Sequence, residues 1–175
     1  MYYSTTYTSP VGNMTLACEG NHLVGIWLEG QKHFGGKISN EMIENSAMPV
    51  FNDAKNWLDR YFKGEKMDVA GLPLRPIGSE FQQRVWKVLC GIPYGEVTTY
   101  GAIAKKIAAQ MGKERMSSQA VGGAIAHNPI LIMVPCHRVV GTDGSMTGYA
   151  AGISVKRKLL ELEGAEGFEK RGIGN

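Results

Sequence analysis

NPILIMVPCHRVVGTDGSMTGYAAG, residues 128–152, sets a proline, a cysteine and a histidine side by side at 135–137, behind an apolar run. A cysteine in such a run is ordinarily a small core hydrophobe. Taken alone, VPCHRVV (134–140) fits that bland reading better than a reactive one. A zinc site needs three or four ligands at loop or helix spacing, and only Cys18, Cys90 and distant histidines could join Cys136 and His137, so the sequence argues for no metal. A thiol protease keeps its base histidine far off in sequence. Here His137 is the next residue, and in an extended segment its ring points away from Cys136. A bent backbone or a bridging water would bring it back, and Pro135 favours a bend. A third group would then have to orient His137, and the acid in LLELEG (159–164) is available.

Outward from this stretch, the C-terminal half reads as mostly helical. Ser79 with Gln82 forms a capping box ahead of Phe81, Val85, Val88 and Leu89 on one stripe. GIPYGEV breaks that helix. A second begins near Thr99 with Ile103, Ile107 and Met111 on one face and Lys105–Lys106 on the other. Ser117 or Ser118 caps a third, QAVGGAIAH, and a last one runs from Ser154 to about Glu163. Two helices around a short connection fit a helix-turn-helix, although any αα-hairpin would show the same pattern. Gly122 and Gly123 sit inside the third helix at a cost of roughly 1 kcal/mol each relative to alanine. Either a neighbouring helix packs closely there, or a bulky object such as a duplex must approach that face.

The N-terminal half has a different character. Residues 3–28 read as a three-strand meander punctuated by SPVGN and EGN. Residues 30–49 are polar and glycine-rich and read as loop. Phe51, Ala54, Trp57, Leu58, Tyr61 and Phe62 then share one helical face, and Gly64 ends it. AGLPLRPIG reads as a connector, with a domain boundary near Gly78, giving domains over 1–78 and 79–175. The fold class is an α/β N-terminal domain, a small antiparallel sheet plus helix, followed by a mostly α C-terminal domain.

The 175 residues carry a formal net charge of +3. Residues 1–79 hold 7 basic and 8 acidic side chains, and residues 80–175 hold 12 and 8. The basic clusters Lys105–Lys106, Lys113/Arg115 and Lys156–Arg157–Lys158 suit a polyanion, although most such clusters are solvated surface. No stretch approaches the ~20 apolar residues of a membrane span. The start lacks a signal peptide's basic patch and apolar run. Three widely spaced cysteines argue against a disulfide framework and for a reducing cytoplasm.

Asn-Pro at 128–129, Pro-Cys-His-Arg-Val-Val at 135–140, Gly-Tyr at 148–149 and the trailing KRKLLELEG resemble the active-site segment of the O6-alkylguanine-DNA alkyltransferases, strongly over about 79–165. The resemblance implies an RNase-H-like first domain and a winged helix-turn-helix second domain. It implies that Cys136 accepts an alkyl group from guanine O6 irreversibly, once per molecule. His137 would take the thiol proton through a water, Glu163 would orient His137, Asn128 would brace the turn, and Tyr100 would donate a proton to the departing base. Met133, Val139, Tyr149, Ala150 and Ala151 would line the base pocket. Ser118, Gln119, Ala120, Gly123, Tyr100, Arg115 and Arg138 would face double-stranded DNA, with the damaged nucleotide flipped out. No cofactor is implied, and the chain would act as a monomer; whether O4-alkylthymine is a second substrate the sequence leaves open. Two departures stand out: Gln119 holds the place of an intercalating arginine, and Ala151 that of a glycine. A non-catalytic binder of alkylated guanine is the rival reading, and Cys136 argues against it; a regulator switched by alkylation would need a further metal-binding domain.

Overall fold

Residues 1–169 are described by a computed structural model. Three antiparallel strands, β1 (Tyr2–Ser9), β2 (Gly12–Glu19) and β3 (His22–Leu28), form the meander expected from the alternation of β-branched and turn residues. The segment 30–49 is not all loop. A single 3₁₀ turn at Gly36–Ile38 leads into β4 (Met42–Glu44), which pairs parallel with β1. The sheet is therefore mixed, in the order β3-β2-β1-β4, rather than antiparallel. Three residues are too few for alternation to register in sequence; the open edge of β1 orders them, and the Asn45 amide extends the pairing to the Ser4 carbonyl at 2.9 Å.

Helix α1 (Pro49–Phe62) buries Val50, Phe51, Ala54, Trp57, Leu58 and Tyr61 beneath this sheet, while Phe62 is only half-buried. The other edge strand, β3, is covered rather than exposed, which blunts unwanted edge pairing. At one end Leu23 exchanges backbone hydrogen bonds with Pro73 and Arg75 of the connector. At the other, Ile26 does so with Pro129 and Leu131. The cysteine-bearing segment is thus pinned to the N-terminal sheet.

In the second half, α2 (Glu80–Leu89) starts at Ser79 with both capping-box bonds formed. It packs against α3 (Tyr100–Gln110) and α4 (Ser118–Ala126), capped by Thr99 and Ser117 respectively. Trp86 is 2% exposed, and its indole N–H donates to the Ala124 carbonyl at 2.8 Å, fixing α2 on α4. A short parallel pair, β5 (Thr98–Thr99) with β6 (Val139–Val140), ties the start of α3 to the residues following Cys136. Helix α5 (Ile153–Leu162) closes the domain and ends on Glu163. One apolar core runs from Met14 and Leu16 through Trp86 to Val139 and Leu159, so the two halves share an interior. No helix among the described residues is long and apolar enough to cross a membrane.

Candidate active site

The geometry begins with the backbone of 128–140. Ile132 has φ 71°, a conformation costing a β-branched residue about 1–3 kcal/mol, held by the bonds to β3 around it. Pro135 follows at φ −83°, ψ 63°, and Cys136–Arg138 form one 3₁₀ turn before β6. With three residues per turn, consecutive side chains fan out by ~120° instead of the opposite faces of a strand. Adjacent residues 136 and 137 therefore do not point to opposite sides as they would in a strand.

Asn128 braces the bend. Its side-chain amide donates to the Val134 carbonyl at 2.8 Å and to Cys136 Sγ at 3.2 Å, while its Oδ1 accepts from the Ile130 amide at 3.0 Å. Behind the turn, Glu163 collects five donors. Oε2 accepts from Tyr61 Oη at 2.6 Å, His137 Nε2 at 2.7 Å and Arg138 Nη2 at 3.1 Å; Oε1 accepts from Arg138 Nε at 2.8 Å and the Gly95 amide at 3.1 Å. A carboxylate so surrounded stays ionised: its hydrogen bonds and charge contacts with His137 and Arg138 outweigh burial and hold it far below the usual carboxylate range. His137 is fully buried, and burial lowers its pKa against the opposing pull of Glu163, so the ring is neutral at physiological pH. With its Nε2–H committed to Glu163, the Nδ1 lone pair is the basic face, and Nδ1 has no hydrogen bond to the described residues.

Cys136 is 4% exposed. Burial pushes its thiol up to about 11, opposed by the Asn128 amide and the Lys156 ammonium. The phenols of Tyr100 and Tyr149 both sense its charge, Tyr149 with a buried hydroxyl that has no hydrogen-bond partner. The sulfur is thus not an open nucleophile at a cavity mouth: it is buried, and so is Tyr149, 8% exposed, whose phenol senses its charge. Tyr100 begins α3, next to β5, and its Oη donates to the Thr147 carbonyl at 3.1 Å. Val139 is buried, and Ala150 and Ala151 are half-buried. Among the described residues no cluster of three or more histidine, cysteine or acidic side chains could hold a metal ion.

Three expectations change. Arg138 is not on a DNA-facing surface; it is 6% exposed, paired with Glu163, and donates to the Ile92 carbonyl at 2.7 Å. An arginine next to a buried carboxylate is worth more there than at the surface, because removing it would strand the charge. Met133 is 1% exposed and lines a small cavity of about 80 Å³ with Trp57, Cys90, Tyr94 and Arg138, a space that Cys136 does not line. Lys156, counted with the basic surface cluster, is wholly buried. Sequence reasoning missed Tyr61, whose hydroxyl reaches Glu163 from the other half of the chain; a tyrosine on the apolar stripe of α1 looks like any core residue.

Ser118, Gln119, Ala120 and Gly123 are exposed along α4, and Arg115 is exposed just before it. A Cβ placed on Gly122 or Gly123 would meet nothing within 4 Å. Close helix packing therefore does not explain these glycines.

Comparison with known proteins agrees with this geometry. Residues 1–76 match the model of the 6-O-methylguanine DNA methyltransferase ribonuclease-like domain, and residues 80–165 match that family's DNA-binding domain. A methylated-DNA–protein-cysteine methyltransferase of Methanosarcina barkeri is 44% identical over 93% of this chain and 97% of its own. The Haemophilus influenzae protein of the same name is 38% identical over 92% of this chain and 86% of its own. Among solved structures, Mycobacterium tuberculosis OGT in complex with DNA superposes with a TM-score of 0.78 at 42% identity, covering 93% of this chain and 92% of that one. With its two halves matching the family's two domain models, this chain belongs to the 6-O-methylguanine DNA methyltransferase family.

Proposed function

We propose that this protein repairs alkylated double-stranded DNA by moving the alkyl group from guanine O6 to Cys136, with residues 1–78 an RNase-H-like scaffold and 79–175 a winged helix-turn-helix. The observation that carries the reading is a buried Cys136 thiol, held by the Asn128 amide, followed directly in the same turn by a neutral imidazole whose Nε2 is fixed on a buried, ionised Glu163. With the thiol near 11, ionising it at about pH 7.5 costs roughly 5 kcal/mol, far more than the ~1.4 kcal/mol an ordinary thiol would need. The base is therefore not a refinement. The thiol proton passes to His137 Nδ1, directly or through a water, and Glu163 stabilises the imidazolium that forms. The sulfur forms a C–S bond to the alkyl carbon as the C–O6 bond breaks, and that electron pair leaves with the guanine. Tyr100 Oη donates a proton to the departing ring and is reprotonated from His137, so protons and charge balance.

The thioether has no hydrolytic exit, which makes each chain a single-turnover reagent. No cofactor enters these steps. The target atom lies inside the duplex, so the nucleotide is flipped toward Cys136 and Tyr149. The open glycine face of α4 supports placement against a groove, with Ser118, Gln119, Ala120 and Gly123 toward the duplex and Gln119 filling the gap without adding charge. Arg115 supplies phosphate attraction. O4-alkylthymine offers the same in-line displacement at an exocyclic oxygen and is the second substrate. A free thiol as reagent suits a monomer in a reducing cytoplasm. The test is a methylguanine duplex with a labelled methyl group. Label should move to the protein and fail to move in Cys136→Ser; label that stays on DNA bound tightly by the intact protein makes it a binder instead.

A further inference from the structure

Five hydrogen bonds converge on Glu163, and four of them come from the second half of the chain: one from His137, two from Arg138 and one from Gly95. The fifth does not. Tyr61, on α1 of the N-terminal half, donates its hydroxyl to Glu163 Oε2 at 2.6 Å, the same oxygen that accepts from His137 Nε2 at 2.7 Å. The phenol is firmly placed. Its ring is 0% exposed, stacks on Trp57 with centroids 5.4 Å apart and planes 7° apart, and meets Phe62 and Tyr94 edge-on. Trp57 is fixed in turn by its indole N–H on the Asp68 carbonyl at 2.7 Å. Burial and the Glu163 charge push the Tyr61 phenol far up, so it stays a neutral donor.

We propose that Tyr61 is a positioning residue for alkyl transfer, its hydroxyl occupying Glu163 Oε2 beside His137 Nε2 and so keeping the relay proton on the imidazole. The inference rests on the transfer reading above, and it gives the N-terminal half a part in the chemistry beyond that of a scaffold. The physical problem is one of proton sharing. Once Nδ1 has taken the thiol proton, His137 is an imidazolium against a buried carboxylate, and a low-dielectric site favours collapse of such a pair to two neutral groups. Glu163 would then hold the Nε2 proton, and reprotonating Tyr100 from Nδ1 would strip the ring of its last one. A carboxylate that already accepts a short O–H bond on that oxygen is a weaker base, so the proton stays where Tyr100 can draw on it. The 2.6 Å separation falls in the range of charge-assisted O–H···O⁻ bonds, about 2.5–2.7 Å.

The titratable and charged groups around this hydroxyl are Glu163 at the end of α5, Arg138 and His137 on the cysteine turn, Tyr94 between α2 and β5, and Tyr149. Lys156 on α5 bears on His137 as well. Removing the Tyr61 hydroxyl changes no formal charge among them, so a displaced titration of the relay reports the hydrogen bond itself.

Two exchanges move the donor in opposite directions. Tyr61→Phe deletes the hydroxyl and keeps the ring; a ring-fluorinated tyrosine at the same position keeps the hydroxyl and makes it a stronger donor. Each protein is assayed for methyl transfer from a methylguanine duplex across pH. The His137 ring is also titrated without DNA by NMR of isotope-labelled histidine, with thermal unfolding as the fold check. In Tyr61→Phe the His137–Glu163 pair holds its proton more tightly, so the acid limb of transfer and the His137 titration should both move alkaline by ~1 pH unit. The fluorinated ring should move both the other way. A merely structural tyrosine would lower the Tm and leave both titrations in place. Unmoved titrations in either protein overturn the inference, and the fluorinated protein alone decides if Tyr61→Phe does not fold. Failure of the unmutated protein to accept methyl at all would sink the transfer reading instead, with the His137 titration still deciding whether Tyr61 acts on the pair.

Discussion

Replacing Glu163 by glutamine removes one charge and almost no volume, so its effect isolates the electrostatics of the site. The carboxylate accepts five hydrogen bonds, three at Oε2 and two at Oε1. Whichever way the glutamine amide turns, its NH₂ faces at least two donors, and the neutral side chain leaves the 6%-exposed Arg138 guanidinium without a counter-charge. Stranding one member of a buried pair costs about 3–5 kcal/mol. For a chain of this size that corresponds to a fall in Tm of about 6–20 °C. Thermal unfolding at neutral pH measures it, and the double variant Glu163→Gln/Arg138→Met separates pairing from packing. If the charges are coupled, the double variant is more stable than the sum of the two losses by at least ~1 kcal/mol. A Tm lowered by less than about 2 °C, or strictly additive losses, would refute the reasoning.

Other consequences follow from the same geometry. Tyr100→Phe keeps the ring and loses the proton donor, so methyl transfer should slow by about 10²–10⁴-fold with unfolding unchanged; a loss below about tenfold removes Tyr100 from the chemistry. Gly123→Ala should strengthen α4 by roughly 1 kcal/mol, since its Cβ meets nothing. Duplex binding should nevertheless weaken by about 1–3 kcal/mol if a groove presses on that face, and binding that holds or improves would contradict the placement. His137 and Glu163 both have folded values below their ordinary ones, so each contributes stability that is complete above its unfolded value and lost as pH falls. Urea unfolding should therefore show stability eroding below about pH 6.5, where His137 begins to matter, and further below about pH 4.5 as Glu163 does. A flat profile from neutral to about pH 5 would mean that His137 is not held neutral by the fold.

Much of this was legible in the residues. Ser79 and Gln82 announce the start of α2 because capping is local chemistry, and the stripe from Phe51 to Tyr61 announces α1 because burial follows helical period. β4 escaped because its partner strand lies some forty residues away and its three residues carry no pattern of their own. The chemistry of Cys136, His137, Glu163 and Asn128 could be assigned from resemblance, yet their distances could not. Arg138 and Lys156 look like surface cations, and only the folded chain reveals that one neutralises Glu163 and the other ties Val139 to Thr147. Tyr61 is the clearest case: its hydroxyl reaches across 102 positions in sequence, a contact that no local signal carries. The glycines of α4 went the other way. Sequence left two explanations open, and the empty space beside them removes one.

The most direct test of the central claim is the mass of the intact protein after incubation with an excess of methylguanine duplex. The account predicts a gain of one methyl group per chain and no more, located by peptide mapping on Cys136, with an equal amount of guanine restored. Methyl on Cys18 or Cys90, or a duplex repaired in excess of protein with no change in mass, would contradict it.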